Sequence, residues 1–362
     1  MREKIIIAAG GTGGHLYPAM RIAESLSDYD ILFMGGGLNT SKYFDREKHA
    51  FLSIEASPWK GFSLKSLWDL TKGNLTGLFQ ARKAIKSFNP LAILGFGSFH
   101  TLPIMAAAKL CRTPLFQYEA NSVPGKVVKL FSSYAAVTAV QFPYAQRAIK
   151  GSSKLISMGG KFTSIDKLSL RGEAYSYFNL SPQAKTILIT GGSQGAEAIN
   201  ACVAESFCSR LMEGWQIIHL VGAASSIEKY SEAYAKANVS ACVKHFEPRM
   251  DLALSAADFF MGRSGAGTVA ELLQTHTPAI LIPYPYATEN HQKHNADFFV
   301  DTVGGGSLIL QNELTPQKLY TAFLEGKKQL EPWENAIKNY TAHIKLPSLE
   351  TAAREFLKSL QK

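Results

Sequence analysis

A short, uninterrupted apolar run opens the chain. Ile5-Ile6-Ile7-Ala8-Ala9 has the pattern of a strand buried on both faces of a parallel sheet, and it empties into Gly10-Gly11-Thr12-Gly13-Gly14-His15. Beyond that loop Met20, Ile22, Ala23 and Leu26 recur at helical spacing, and Pro18 falls where the pattern predicts a first helical turn. The order strand, glycine loop, helix returns at Thr186-Ile187-Leu188-Ile189-Thr190, followed by Gly191-Gly192-Ser193-Gln194-Gly195-Ala196 and a helical stretch through Ile199 and Val203. Gly10 and Gly191 are separated by half of the 362-residue chain. Further strands are expected at 31–34, 92–94 and 114–116 in the first half, and at 216–221, 258–261 and 279–283 in the second. Short apolar runs alternating with amphipathic stretches predict two α/β domains of similar plan laid end to end. The boundary is expected near Gly159-Gly160-Lys161, where periodicity lapses and a polar stretch runs to Ser181-Pro182.

Composition agrees with two packed domains: hydrophobic residues make up 46% and charged residues 19%, too apolar a balance for a disordered chain. No apolar run approaches the roughly 18 to 20 residues of a membrane-spanning helix, and the start leads straight into a strand, so no signal peptide is expected. Cys111, Cys202, Cys208 and Cys242 form no Cys-x-x-Cys pair and read as reduced thiols of a cytoplasmic protein. The 38 Lys and Arg against 29 Asp and Glu leave a net charge of +9, which draws the chain toward something acidic. Nucleic acid, an anionic lipid surface and phosphorylated substrates all qualify.

The glycine loops favour phosphate. Glycines between a strand and a helix let backbone N–H groups approach an anion at the positive end of the helix dipole. A single such loop is as readily a tight turn, but Gly262-Arg263-Ser264-Gly265-Ala266-Gly267-Thr268 supplies a third. A P-loop is excluded by the lack of G-x-x-x-x-G-K-[ST]. A dinucleotide site is disfavoured, because the first loop does not fit G-x-G-x-x-G and the ribose-binding acid expected after the second strand is replaced by Met34-Gly35-Gly36-Gly37. After the third loop comes Glu271, suited to accept hydrogen bonds from ribose hydroxyls, and then Glu289-Asn290-His291-Gln292 with Asn295. Gln292 and Asn295 carry both donors and acceptors, as sugar hydroxyls require. Each piece alone would pass for a charged helix face or a solvated helix start; together they point to a nucleoside diphosphate sugar.

In order along the chain, residues 10–15 with Pro18, Glu119-Ala120-Asn121-Ser122-Val123-Pro124-Gly125, residues 191–196, Arg263-Ser264-Gly265-Ala266 with Thr268 and Glu271, and Asn290-His291-Gln292 with Asn295-Ala296 resemble the MurG family. Its members are UDP-N-acetylglucosamine:N-acetylmuramyl-(pentapeptide) pyrophosphoryl-undecaprenol N-acetylglucosamine transferases. The resemblance implies a GT-B fold: two Rossmann-like α/β domains with parallel sheets, 1–160 and 161–345, facing across a cleft, with a last helix in 346–362 packing back on the first. It implies inverting transfer of GlcNAc from UDP-GlcNAc to the C4 hydroxyl of lipid I, with no metal or other cofactor. Donor contacts would come from Thr12, Gly13, Gly14, Asn121, Gly192, Ser193, Gln194, Gly195, Glu247, Met250, Arg263, Ser264, Gly265, Ala266, Thr268, Glu271, His291, Gln292 and Asn295. Acceptor contacts would come from Gly11, Gly14, His15, Phe99, Tyr118, Glu119 and Asn121. His15 is the candidate base, since imidazole titrates near neutrality, with loop orientation or phosphate binding as its other reading.

The family's acceptor carries a long polyprenyl tail, which implies a peripheral protein on the cytoplasmic face of the bacterial inner membrane. Trp59, Phe62, Leu64, Leu67, Trp68, Leu75 and Phe79, interleaved with lysines, are the candidate contacts to an anionic membrane surface; a helix packed on the core is the alternative. No nucleic-acid partner is expected, because the basic residues are scattered and carry no recognition-helix or RNA-module pattern. The chain departs from the family at Phe99, Tyr118, Ala120, Thr163 and Glu247-Pro248-Arg249. Most of these lie on the acceptor side or at the hinge. Two other readings therefore stay open, a GT-B transferase with another lipid acceptor and a nucleotide-sugar-binding protein without turnover.

Overall fold

A computed structural model describes residues 2–57, 64–158, 165–192, 195–210 and 213–361, with only the backbone for 64–70. The chain divides into two units, Met1–Lys161 with Lys345–Lys362, and Phe162–Ile344. The expected boundary at residues 159–161 lies outside the described residues.

The first unit is built on β1 (Lys4–Ala8), β2 (Asp30–Gly35), β3 (Phe51–Ser53), β4 (Ala92–Gly95), β5 (Leu115–Glu119), β6 (Val137–Val140) and β7 (Ser153–Leu155). These form one sheet, parallel throughout, in the order β3-β2-β1-β4-β5-β6-β7. Its helices are α1 (Gly13–Ser25), α2 (Leu64–Phe88), α3 (Leu102–Cys111), α4 (Lys126–Phe131) and α5 (Pro143–Gln146). The all-apolar run at residues 5–9 is buried because helices cover both faces. Ile5, Ile7 and Ala9 meet Leu16, Ala19 and Ile22 of α1, whereas Ile6 and Ala8 share a cluster with Ala81 and Ile85 of α2 and Ile104 and Met105 of α3.

The second unit carries α6 (Lys167–Phe178), β8 (Lys185–Thr190), α7 (Glu197–Cys208), β9 (Trp215–Leu220), α8 (Ile227–Lys236), β10 (Ala241–Lys244), α9 (Met250–Ala256), β11 (Phe259–Gly262), α10 (Ala266–Gln274), β12 (Ala279–Leu281), α11 (His291–Asp297), β13 (Gly306–Leu308), α12 (Pro316–Lys328) and α13 (Leu330–His343). Its six strands are again all parallel, in the order β10-β9-β8-β11-β12-β13. Both units are thus doubly wound α/β sheets, as the apolar runs predicted.

The last helix, α14 (Leu349–Ser359), belongs to the first unit. Ser348 caps it, its hydroxyl accepting from Thr351 N at 3.1 Å. Leu349, Ala352, Ala353, Phe356 and Leu357 form a stripe at helical spacing that joins the α1 side of the core. Ion pairs from Arg21 to Glu350 at 2.7 Å and from Arg354 to Asp28 at 2.9 Å hold its flanks.

One local expectation is corrected. Pro18 lies in the second turn of α1, because the helix starts inside the glycine loop at Gly13. Having no N–H, Pro18 leaves the Gly14 carbonyl without its usual helical donor.

Candidate active site

In a doubly wound sheet, ligands bind beyond the carboxyl ends of the strands where the strand order reverses. That reversal falls between β1 and β4 in the first unit and between β8 and β11 in the second. All three glycine loops singled out from sequence leave one of these strands: residues 10–14 follow β1, residues 191–196 follow β8, and the third starts at Gly262, the last residue of β11.

In the first unit, Gly11 has a φ of +86°, and a Cβ there would lie 2.9 Å from Ser98 Oγ. Only glycine fits both constraints. Thr12 is the N-cap of α1; its hydroxyl makes no cap bond, and its carbonyl accepts from His15 N at 3.1 Å. His15 stands half-buried in that turn, with Nδ1 2.8 Å from the Phe96 carbonyl oxygen. A carbonyl can only accept, so in the neutral ring Nδ1 carries the proton and Nε2 the lone pair. Ser98 and His100, which sequence reasoning did not single out, complete this corner. The half-buried His100 ring wedges between Gly11 and Gly36, and burial pushes its pKa down, which favours the neutral ring. Ser98 adopts φ +72°, a left-handed conformation with no signature in the sequence. Phe99 is half-buried in the short turn Phe99–Thr101.

Tyr118, Glu119 and Asn121 part company. Glu119 is 4% exposed, and its carboxylate accepts from Asn121 N at 2.9 Å, Asn121 Nδ2 at 3.2 Å and Gly125 N at 2.8 Å. Burial pushes its pKa up against those donors. It folds the 119–125 loop. Tyr118 is 2% exposed and packs on Phe96, and burial raises its hydroxyl well above the ordinary range. Asn121, half-buried, stays at the surface of the loop.

In the second unit, Ser193 and Gln194 lie outside the described residues, while Gly192 and Gly195 take φ of +81° and +78°. On α10 and its N-cap, Gly265, Gly267, Thr268, Glu271 and Gln274 are the partly open positions, and Ala266, Val269, Ala270, Leu272 and Leu273 are buried. This spacing puts Thr268 and the Glu271 carboxylate on one face of the helix that starts at the glycine loop.

Four expected donor contacts have other work. Arg263 is 8% exposed and donates to the Ile282 and Pro283 carbonyls at 3.1 and 2.9 Å, so it clamps the loop leaving β12. Ser264 Oγ donates to the Gln292 carbonyl at 2.7 Å, and Asn295 Nδ2 donates to the Ser264 carbonyl at 3.1 Å. Both residues are fully buried and tie α11 to the α10 glycine loop. Glu247 is also fully buried, with Lys244 Nζ at 2.5 Å, Arg249 N at 2.8 Å and Tyr177 OH at 3.1 Å from its carboxylate. It shapes the turn before Met250, the half-buried first residue of α9.

His291 and Gln292 remain at the surface of α11. Glu289 and Asn290, with φ of +53° and +55°, turn the chain abruptly into that helix. His291 Nδ1 donates to the Thr288 carbonyl at 2.8 Å, which leaves the lone pair on Nε2. Gln292 Oε1 accepts from Tyr284 N at 3.0 Å, which fixes the amide's orientation.

Of the expected membrane contacts, Trp59 and Phe62 lie outside the described residues, as do the side chains of Leu64, Leu67 and Trp68. Leu75 and Phe79 are 51% and 66% exposed, one turn apart on α2, with Lys72, Arg82, Lys83 and Lys86 also exposed on that helix. No helix among the described residues is long and apolar enough to cross a membrane.

Two doubly wound parallel sheets, each with glycine loops at its switch point, fit the GT-B fold class of glycosyltransferases, and the comparisons with known proteins agree. The glycosyltransferase family 28 N-terminal domain matches residues 5–140, and the family 28 C-terminal domain matches residues 186–349. The UDP-N-acetylglucosamine--N-acetylmuramyl-(pentapeptide) pyrophosphoryl-undecaprenol N-acetylglucosamine transferase of Protochlamydia amoebophila (strain UWE25) is 42% identical over 333 residues, 88% of this chain and 85% of that protein. The protein of the same name from Chlamydia pneumoniae is 34% identical over 326 residues, 88% of this chain and 87% of the relative. Two solved structures share the fold. Acinetobacter baumannii MurG superposes with a TM-score of 0.78 at 24% identity, covering 99% of each chain. A UGT transferase from Siraitia grosvenorii in complex with UDP gives 0.69 at 12% identity, covering 99% of this chain and 100% of its own. The chain belongs to the MurG family of N-acetylglucosaminyltransferases.

Proposed function

We propose that this enzyme moves GlcNAc from UDP-GlcNAc to the C4 hydroxyl of undecaprenyl-pyrophosphoryl-MurNAc-pentapeptide, lipid I, with inversion, to give lipid II for peptidoglycan synthesis. The near full-length relationship to the chlamydial transferases carries the reading. The donor binds the second unit. Glu271 accepts from the ribose hydroxyls, the N-termini of α7 and α10 with their glycine loops receive the diphosphate, and His291 and Gln292 address the sugar. Arg263, Ser264, Asn295 and Glu247 support these groups from behind.

Inversion requires one displacement. The acceptor C4 oxygen attacks C1 of GlcNAc, the bond from C1 to the β-phosphate oxygen breaks, and UDP leaves with the bonding electrons. The proton of the C4 hydroxyl passes to Nε2 of His15, the nitrogen that carries the lone pair. Backbone N–H groups and helix dipoles meet the charge that develops on UDP, so turnover proceeds without a metal.

The exposed apolar and basic face of α2, with Leu75 and Phe79, rests on the anionic cytoplasmic face of the inner membrane. The enzyme is peripheral there, has no nucleic-acid partner, and serves cell-wall growth, cell shape and division. The changes at Phe99, Tyr118 and Ala120 keep one alternative in play, a different lipid acceptor. Supplying labelled UDP-GlcNAc with either a lipid I analogue or diacylglycerol separates the two: product on the first alone supports this reading, and product on the second alone replaces it.

A further inference from the structure

A series of hydrogen bonds in the second unit, buried from Tyr234 to Ser225 and ending at the exposed Glu197, takes no part in the chemistry above. It joins Tyr234 on α8, His219 on β9, Asn200 on α7, Ser225 in the loop before α8, and Glu197 at the first position of α7. The Tyr234 hydroxyl is 3.0 Å from His219 Nδ1, and His219 Nε2 is 3.1 Å from Asn200 Oδ1. Asn200 Nδ2 lies 2.8 Å from the Val221 carbonyl oxygen and 3.0 Å from Ser225 Oγ. Ser225 Oγ is 2.6 Å from Glu197 Oε2, while Tyr230 OH and Lys229 Nζ reach Glu197 Oε1 at 2.7 and 2.9 Å.

Chemistry fixes the direction of every bond. A carbonyl only accepts, so the amide nitrogen of Asn200 must face Val221. Its second N–H goes to Ser225, and its Oδ1 accepts from the Nε2–H of His219. Nδ1 of His219 then holds the lone pair and accepts from Tyr234, and Ser225 donates its proton to Glu197. Burial pushes the His219 imidazole down to about 3, so the ring keeps a single proton. Asn200 and His219 are both fully buried, where apolar side chains would fill the space without desolvating polar atoms. A satisfied polar network in such a place selects one arrangement of the elements around it.

That arrangement concerns the glycine loop after β8. A Cβ on Gly195 would lie 2.6 Å from the Val221 carbonyl oxygen, the same atom that Asn200 holds. Gly195 N in turn closes the loop on the Gly192 carbonyl at 2.9 Å. We infer that the relay from Tyr234 through His219, Asn200 and Ser225 to Glu197 sets the positions of Gly192 and Gly195 for the donor diphosphate. His219 and Asn200 are its positioning residues, and the diphosphate part of this inference rests on the donor reading above.

Two variants at one site test it. His219→Leu removes both ring nitrogens, whereas His219→Gln can keep a donor toward Asn200 and an acceptor toward Tyr234. In the ligand-free full chain, hydrogen exchange at the Gly195 amide, which bonds the Gly192 carbonyl, should quicken about tenfold in His219→Leu and return to within about threefold of the parent in His219→Gln. Exchange in the first unit should not change. UDP affinity should fall about tenfold in His219→Leu and recover in His219→Gln, while uridine, which has no phosphate, binds all three proteins alike. Equal exchange in all three proteins, or uridine lost in step with UDP, overturns the positioning role. Should His219→Leu fail to fold, Ser225→Ala breaks the series nearer the surface and is read by the same two outcomes. A parent protein that binds neither uridine nor UDP refutes the donor reading, and the exchange comparison then decides the relay by itself.

Discussion

His15 Nδ1 donates to the carbonyl oxygen of Phe96 at 2.8 Å, a bond across 81 positions of sequence from the end of β4 to the first turn of α1. It fixes the tautomer that a base needs, with the lone pair on Nε2. His15→Asn can keep an N–H toward Phe96 but has nothing to take a proton. Its kcat is expected to fall by about 10² to 10⁴ with UDP-GlcNAc affinity unchanged, the range for loss of a general base. Steady-state kinetics with calorimetry checks this, and a kcat within about threefold of the parent removes His15 from that role.

Glu271 is the carboxylate on the open face of α10, in the helix's second turn. Glu271→Ala should weaken UDP-GlcNAc binding by about 1.5 to 3 kcal/mol, the scale of hydrogen bonds to a charged group. A 2′,3′-dideoxyribose analogue of the donor should lose as much with the parent enzyme and little more with the variant. Additive losses would place the ribose elsewhere.

Stability should depend on pH through His219. The folded ring is held down to about 3 by burial, while in the unfolded chain it titrates near ~6.5. Between those values the unfolded state binds more protons, so the His219 contribution is complete above about pH 6.5 and is lost as pH falls toward about 3, at a slope of at most about 1.4 kcal/mol per pH unit. Urea unfolding across that window should show a shallower pH slope in His219→Gln than in the parent. An identical slope contradicts the buried neutral ring.

Much of the fold is legible because β1, β2, β4, β8, β9, β11 and β12 are mainly apolar and largely buried. The strands that escaped notice are short. Phe51–Ser53, Ser153–Leu155, Ala241–Lys244 and Gly306–Leu308 sit at sheet edges and are largely half-exposed, so their composition is mixed and carries no clean period, whereas Val137–Val140 is internal and mostly buried but only four residues long with a threonine inside it. In the site, spacing placed the glycine loops and the 291–295 helix start on strand and helix ends and Glu271 on the helix that follows the third loop. It could not tell which polar groups are already spoken for. Glu119, Glu247, Ser264 and Asn295 look like ligand contacts in sequence; backbone N–H groups two to six residues away bond the two carboxylates, and carbonyls 28 and 31 residues away bond Ser264 and Asn295. The relay around Asn200 is hidden for the same reason, since a lone His inside an apolar strand carries no sequence sign of its partners.

Leu75 and Phe79 stand exposed on α2 beside basic residues. Replacing both with Ser should leave thermal stability unchanged, because neither is core, and should weaken binding to anionic vesicles about tenfold or more while turnover on a short-chain soluble acceptor persists. Co-sedimentation together with the soluble assay reads both. Equal loss in the two assays would place these side chains in the acceptor site.

The central claim, acceptor-dependent transfer without a metal, is tested most directly by UDP release. Purified protein is given UDP-GlcNAc and a lipid I analogue, separately and together, in excess chelator. The account predicts rapid release only when both substrates are present, undiminished by the chelator. Release that stops on chelation would contradict the leaving-group stabilisation assigned to the helix N-termini, and binding of UDP-GlcNAc without any release would contradict the transferase reading itself.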